Sequence, residues 1–155
     1  LREVVCTQNG VVERFSGDHA VCIFGLTGPT DDSFRQACSV GMSLRNLLVE
    51  LAPHVPAADT ENVAHSASEM RLAVTMGLVS GPLAIGAVGS LGRQELMCVG
   101  PTCRLAASIG QWAVHYGVDL LTTSRDRDKL KHAFILRELD NIRHQGQELT
   151  LYEVV

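Results

Sequence analysis

An aspartate at the tip of a predicted hairpin is well placed to do chemistry. Asp18 follows Gly17 in the turn Ser16–His19, and β-rich runs flank this turn at Val11–Phe15 and Ala20–Phe24. A carboxylate beside a glycine can approach a hard cation closely. The same carboxylate can instead accept hydrogen bonds from its own turn. The residues alone leave both roles open.

The other reactive residue types form no recognised motif. The histidines have no HxxxH or HxH spacing and the cysteines include no CxxC pair, so neither type indicates a metal site. The run Gly86–Gly92 does not open a helix, and the loop Gly25–Asp32 lacks the Gly-Lys-Thr of a phosphate-binding loop. The chain also has no GxSxG motif. Dehydrogenase, P-loop and serine hydrolase chemistry therefore have no support in the sequence.

The composition is that of one globular domain. The chain has 155 residues, of which 46% are hydrophobic and 19% are charged. Its net charge is −4 and its lysines and arginines are scattered, which argues against a nucleic-acid partner. The odd number of cysteines predicts reduced thiols and a cytoplasmic location, with Cys22 and Cys38 as core residues.

One stretch has the length of a membrane span. Leu72–Gly92 carries no charged residue, but it contains five glycines and one proline, which would destabilise a single helix. We therefore predict two buried strands around a turn at Ser80–Pro82, and no membrane insertion. The chain begins without a signal peptide or an initiator methionine, so we expect it to be a part of a longer protein. The sequence does not tell whether that longer protein is attached to a membrane.

Hydrophobic periodicity and turn residues predict alternating helices and strands. Helices are predicted at Leu1–Thr7, from Asp31 or Asp32 to about Leu51, at Cys103–Tyr116 and from Ser124 to about Lys131. Strands are predicted at Val11–Phe15, Ala20–Phe24, Arg71–Val79, Leu83–Val88, Gln94–Val99, Val118–Thr123, Phe134–Leu139 and Leu149–Val154. Ala52–Glu69 is interpreted as a surface insertion. This order predicts a single α+β domain over residues 1–155, with helices on one face of a sheet.

Five segments follow one another in the order found in a known family. They are the Gly-Asp hairpin Val11–Gly25, the strand and turn Leu72–Pro82, the hairpin Gly86–Gly100, the helix start Leu105–Ala107 and the closing strand Leu151–Val154. Together they resemble the catalytic domains of class III nucleotidyl cyclases, which are the adenylyl and guanylyl cyclases. The resemblance extends over nearly the whole chain.

This resemblance implies a fold, a reaction and a partner. The fold is ferredoxin-like, with a mostly antiparallel sheet and helices packed on it, and two domains pair head to tail around the active site. In the family, the ribose 3′ hydroxyl of ATP or GTP attacks the α-phosphate and pyrophosphate leaves. Two metal ions, Mg²⁺ or Mn²⁺, are held by two aspartates. Asp18 matches the second of these aspartates, and the first is expected on a strand that precedes Leu1.

The positions that read the purine depart from the family pattern. Arg14 lies where adenylyl cyclases have a lysine and guanylyl cyclases a glutamate. Met97 lies where the family has an aspartate or a cysteine, and a thioether is only a weak hydrogen-bond acceptor. A shift of register by one residue would place Cys98 there instead and would favour a guanylyl-type site.

The positions that bind phosphate also differ. Arg104 occupies the position of the transition-state asparagine, and Ser108, one helical turn later, occupies that of the transition-state arginine. The triphosphate-binding lysine of the last hairpin is missing, and Arg143 is its possible substitute.

Three interpretations follow from this mixture of retained and lost positions. The domain can be the metal-bearing half of a dimeric cyclase whose second domain supplies the missing groups. It can be a catalytically silent pairing and regulatory module. Finally, Arg14, Arg104 and Arg143 can form a simple anion or nucleotide sensor.

Overall fold

The computed structural model describes residues 1–27, 32–51 and 73–155. In chain order, the elements in these ranges are α1 (Arg2–Thr7), β1 (Gly10–Ser16), β2 (His19–Phe24), α2 (Ser33–Leu51), β3 (Met76–Gly77), β4 (Ala84–Ser90), β5 (Arg93–Val99), α3 (Pro101–Tyr116), β6 (Leu120–Thr123), α4 (Arg127–Leu130), β7 (Leu136–His144) and β8 (Gln147–Val154).

The central sheet has the strand order β3-β6-β8-β7. Strands β3 and β6 are parallel, whereas β8 pairs antiparallel with both β6 and β7. All four residues of β6 are buried, because neighbouring strands flank β6 and helices cover it. The mostly antiparallel sheet with packed helices confirms the α+β class.

The helices cover both faces of this sheet. Leu120 and Leu121 are neighbours in β6, so their side chains point to opposite faces. Leu121 belongs to a core cluster with Ile109 of α3, while Leu120 belongs to a second cluster with Phe34 and the fully buried Cys38 of α2. The expectation of helices on one face is therefore wrong. A strand that is covered on both faces is apolar along its whole length. Its sequence therefore does not indicate which face each helix covers.

Helix α3 lies unusually close to β3 because two glycines meet at the crossing. A Cβ atom added to Gly77 would overlap the carbonyl oxygen of Ala106 and lie 2.5 Å from the nitrogen of Gly110. The helix is held at its ends by Pro101 in the first turn and by Gly117, which adopts the left-handed conformation (φ 64°). The absence of a side chain at Gly77 thus sets the distance between helix and sheet.

We expect Gly77→Ala to destabilise the fold by about 1–3 kcal/mol, because the new methyl group meets backbone atoms that have little room to move. Urea unfolding followed by circular dichroism measures the change. Gly86→Ala is the matched control, since a Cβ at Gly86 meets nothing within 4 Å. Equal stability of the two variants would contradict the close crossing.

The two remaining strand pairs are separate hairpins. Strands β1 and β2 form one two-stranded sheet, and β4 and β5 form another. Nearly all of β4 is exposed, with only Ile85 partly buried. The prediction of a buried strand is wrong for this second strand, because the described part of the chain leaves the apolar residues of β4 other than Ile85 exposed. Val88 and Val99 are more than half exposed and Leu91 is fully exposed.

Other differences concern the ends of elements. The predicted strand Arg71–Val79 is regular only at Met76–Gly77 where the structure describes it. Helix α4 begins after Asp126 and not after Ser124, whose hydroxyl faces the Thr150 amide (3.3 Å) at the sheet edge. The predicted insertion Ala52–Glu69 lies outside the described residues. Within the described ranges, no helix is both long and apolar enough to span a bilayer.

Candidate functional site

Asp18 lies at the tip of the β1–β2 hairpin. Ser16 pairs with His19, so Gly17 and Asp18 form the two-residue turn, and Gly17 adopts the left-handed conformation (φ 60°) that this turn requires. The Asp18 carboxylate is 90% exposed and contacts Nδ1 of His19. The predicted hairpin with a carboxylate at its tip is therefore present.

Asp18 can be one ligand of a metal ion, but it is not a complete site. Mg²⁺ is bound by oxygen ligands, commonly one or two carboxylates together with water and phosphate oxygens. Among the described residues, no group of three or more His, Cys, Asp or Glu side chains is arranged to hold a metal. A metal ion bound by Asp18 would therefore need further ligands from water, from phosphate oxygens or from residues outside the described ranges.

Glu13 is a buried carboxylate that the sequence analysis missed. The β1–β2 register shifts between Val12 and Arg14, so that Glu13 occupies a bulge. Its side chain is only 2% exposed, whereas that of Arg14 is 59% exposed. Glu13 Oε1 accepts a hydrogen bond from the Cys98 amide at 3.3 Å. Glu13 Oε2 is buried and has no hydrogen-bond partner.

Two cysteine thiols lie beside this carboxylate. The Sγ atoms of Cys98, in β5, and Cys103, in the first turn of α3, are 3.5 Å apart. Burial, together with the nearby Cys103 and Glu13, raises the pKa of Cys98 to about 11. Glu13, Cys98 and Cys103 therefore form a compact group, which we call the Glu13 cluster.

The two predicted base-contacting residues lie near this cluster. The Arg14 guanidinium is 3.5 Å from Glu13 Oε1. Met97 is 37% exposed and pairs with Gly86 across the β4–β5 hairpin. Because Met97 and Cys98 are adjacent in a strand, the Met97 side chain points to the face opposite the Cys98 thiol. Base contact by Arg14 and Met97 stays a prediction.

The predicted phosphate-binding arginines occupy separate parts of the fold. Arg104 is exposed in the first turn of α3, one turn before the partly buried Ser108. Arg143 is exposed in β7, where it pairs with Glu148 and borders a shallow cavity of about 340 Å³. Neither guanidinium forms a hydrogen bond or an ion pair with the described residues. Both cations are thus available to an anion, and their roles stay predictions.

A second buried carboxylate fixes the segment that precedes β4. Asp126 is 1% exposed and accepts hydrogen bonds from the Ser80 amide (2.9 Å), the Ser80 hydroxyl and the Lys129 ammonium (2.8 Å). Two residues further on, the Pro82 carbonyl accepts a hydrogen bond from the Thr102 hydroxyl at 2.7 Å. Asp126 therefore connects the end of β6 to the turn that supports the start of α3.

Sequence reasoning could not have found the Glu13 cluster from a local signal. A β-bulge leaves no clear mark in the residue pattern of Val11–Phe15. The contact between Glu13 and Cys98 joins residues 85 positions apart. The sequence does offer one indication. Glu13 and Cys98 each lie one residue away from Arg14 and Met97, the positions that match the purine-reading residues in the resemblance.

Comparison with solved structures identifies the fold. Over 99% of this chain and 75% of the other, the structure resembles the adenylyl cyclase CyaB from P. aeruginosa (TM-score 0.75, 18% identity). It resembles the guanylyl cyclase Cya2 over 98% and 73% (TM-score 0.79, 18% identity). It also resembles the guanylate cyclase domain of RhGC from Catenaria anguillulae, solved in complex with GTP, over 99% and 76% (TM-score 0.69, 17% identity).

No protein-family model and no curated protein sequence matches this chain. The structural similarity nevertheless extends over almost all of its length. The chain therefore has the α+β fold of class III adenylyl and guanylyl cyclase catalytic domains, as the sequence resemblance predicts.

Proposed function

We propose that this chain is a nucleotidyl cyclase domain that acts as the metal-bearing half of a dimeric site. Its reaction would convert a purine nucleoside triphosphate into a 3′,5′-cyclic nucleotide and pyrophosphate. The observation that carries the proposal is the exposed Asp18 carboxylate at the β1–β2 tip of a cyclase fold. The alternative is a catalytically silent module with the same fold.

The residues of the chain indicate which groups this domain would supply and which would come from the second domain. Asp18 would supply one ligand to Mg²⁺ or Mn²⁺, and bound metal in such a site activates the attacking hydroxyl and neutralises phosphate charge. Arg104 would bind phosphate from the first turn of α3. Ser108 has neither the charge nor the length to replace an arginine, so that role falls to the second domain.

The β4–β5 hairpin is a surface for this second domain. An isolated two-stranded hairpin is only marginally stable in water, and exposed apolar patches are typical of interaction sites. Val88, Leu91 and Val99 lie exposed on or beside these strands. Covering them with a second cyclase domain would complete the pairing that the fold implies.

The Glu13 cluster favours guanine as the base. A carboxylate only accepts hydrogen bonds, and the guanine edge presents two adjacent donors, whereas adenine presents one amino group. Glu13 Oε2 lacks a donor in the described structure and would gain one from guanine. Arg14, whose guanidinium is 59% exposed and lies 3.5 Å from Glu13 Oε1, would have to move aside for a base to reach this carboxylate. Glu13 lies within β1, whereas Asp18 lies in the turn that follows the last residue of β1. The two carboxylates would therefore contact different parts of the bound nucleotides in a dimer.

We expect Glu13→Gln to weaken GTP binding about 10- to 100-fold and ATP binding much less. The amide loses a charge-assisted hydrogen bond to guanine, and such bonds contribute about 1.5–3 kcal/mol. Isothermal titration calorimetry with each nucleotide measures both affinities. Glu95→Gln is the control, because Glu95 is an exposed carboxylate on β5. An equal loss for GTP and ATP would contradict base recognition by Glu13.

A complementation assay tests the proposed function. The full chain is incubated with Mn²⁺ and either GTP or ATP, alone and with a second cyclase domain that carries the family's asparagine and arginine. Mass spectrometry then detects the cyclic nucleotide. Product in the mixture and not with either domain alone supports the half-site. Absence of product in every arm would favour the silent module.

A further inference from the structure

We infer that Cys98 and Cys103 are a redox pair that closes reversibly to a disulfide. Their sulphur atoms are 3.5 Å apart. A disulfide requires an approach of only about 1.5 Å more, which side-chain rotation at the two residues can supply. All five cysteines, Cys6, Cys22, Cys38, Cys98 and Cys103, are free thiols in this structure.

The position of the pair favours a bond that opens again. Cys98 and Cys103 are separated by the four residues from Val99 to Thr102, so a bond between them closes a short loop. A short loop removes little entropy from the unfolded chain, and the bond therefore adds little stability. Bonds of this kind are regulatory more often than structural.

Closure would proceed by exchange with a small-molecule disulfide such as glutathione disulfide. The Cys103 thiolate attacks one glutathione sulphur, the glutathione S–S bond breaks and one glutathione thiolate leaves. The Cys98 thiolate then attacks Cys103 Sγ, and the second glutathione thiolate leaves. The two protein thiols lose two electrons and two protons, and both glutathione sulphurs end as thiols.

The order of attack follows from the environment of Cys98. Its pKa of about 11, raised by burial and by its neighbours, keeps Cys98 in the thiol form at neutral pH. Cys103 is therefore expected to react first with the external disulfide. Once the mixed disulfide has formed, its sulphur lies beside Cys98, so the second step is intramolecular and needs only a small fraction of thiolate.

The bond would also change the Glu13 cluster. Rotation of the Cys98 side chain toward Cys103 would move its sulphur within the Glu13 cluster and so change the surroundings of the Glu13 carboxylate. Since this consequence depends on the base-binding role in the proposed function, we expect oxidation to lower GTP affinity. It would couple the redox state of the cell to nucleotide binding.

Tryptic mapping tests the pair directly. The peptide Gln94–Arg104 contains Cys98 and Cys103 and no other cysteine, whereas Cys6, Cys22 and Cys38 each fall in a different peptide. After incubation of the full chain with glutathione disulfide and alkylation of the remaining thiols, we expect this peptide to be lighter than its reduced form by two hydrogens and unalkylated. Dithiothreitol should reverse the change. A peptide that stays fully alkylated would overturn the inference.

Variants establish the order of steps and separate the inference from the proposed function. Cys98→Ser should accumulate glutathione on Cys103, Cys103→Ser should remain largely unmodified at Cys98, and Cys6→Ser should behave as the native chain. Faster modification of Cys98 than of Cys103 would contradict the order of attack. GTP affinity is then measured in both redox states. A disulfide in a chain that binds no nucleotide would support the pair and contradict the proposed function.

Discussion

The Asp18→Asn variant is expected to lose about a hundred- to a thousand-fold in cyclase activity in the complementation assay. Asparagine keeps the shape of the side chain but removes the negative charge that a hard cation requires. Loss of one group that stabilises charge in the transition state typically has an effect of this size. The rate of cyclic nucleotide formation with saturating Mn²⁺ measures it. Binding of Mn²⁺ alone, followed by electron paramagnetic resonance, should weaken in parallel.

Asp128→Asn is the matched control for this experiment. Asp128 is also an exposed carboxylate next to a cationic partner, with Lys131 Nζ 2.9 Å away, but it lies in α4. Its removal is expected to leave both activity and Mn²⁺ affinity unchanged. Full activity of Asp18→Asn would mean that the carboxylate only stabilises its own turn. Equal losses in both variants would indicate a general effect of net charge.

The Asp126→Ala variant is expected to lose about 2–4 kcal/mol of unfolding free energy. Alanine removes the acceptor of three hydrogen bonds and leaves the partly buried Ser80 amide without its partner, whereas the Ser80 hydroxyl still accepts a hydrogen bond from Lys129. The expected loss is limited by Lys129, whose side chain is 46% exposed and can be hydrated. Urea unfolding followed by tryptophan fluorescence and circular dichroism measures the change.

Two further variants keep the Asp126 experiment interpretable. Asp126→Asn retains one acceptor and should therefore lose less unfolding free energy than Asp126→Ala. This variant provides a measurable intermediate value even where the alanine variant folds poorly. Asp128→Ala removes an exposed carboxylate two residues away and should leave the urea midpoint unchanged. A midpoint of Asp126→Ala equal to that of Asp128→Ala would contradict the connection between β6 and the turn before β4.

Both predictions concern carboxylates that sequence reasoning treated differently. Asp18 can be recognised from the sequence, because a Gly-Asp turn between two β-rich runs is a local pattern. Asp126 lies in the polar stretch Ser124–Lys131, whose pattern indicates only the start of a helix. Its function depends on Ser80, 46 residues earlier in the chain, and no local pattern records such a contact.

The positions predicted to contact a purine show how a small tertiary feature changes which side chain is buried. Alternation along β1 would place Glu13 and Arg14 on opposite faces but does not tell which one is inward. The bulge between Val12 and Arg14 decides this, because a shift of one residue exchanges the faces of a strand. Glu13 is consequently buried against Cys98, and Arg14 is turned toward solvent.

The order of the elements, the hairpin that carries Asp18 and the resemblance to nucleotidyl cyclases can all be predicted from the amino-acid sequence. These properties follow from hydrophobic periodicity and turn residues, which act over a few neighbouring positions. Three other features are visible only in the folded chain: helices cover both faces of the sheet, β4 is exposed, and the sulphur atoms of Cys98 and Cys103 are 3.5 Å apart. Each of these features depends on contacts between distant segments or on the register of paired strands. The spacing of residues along the chain encodes neither the contacts nor the register.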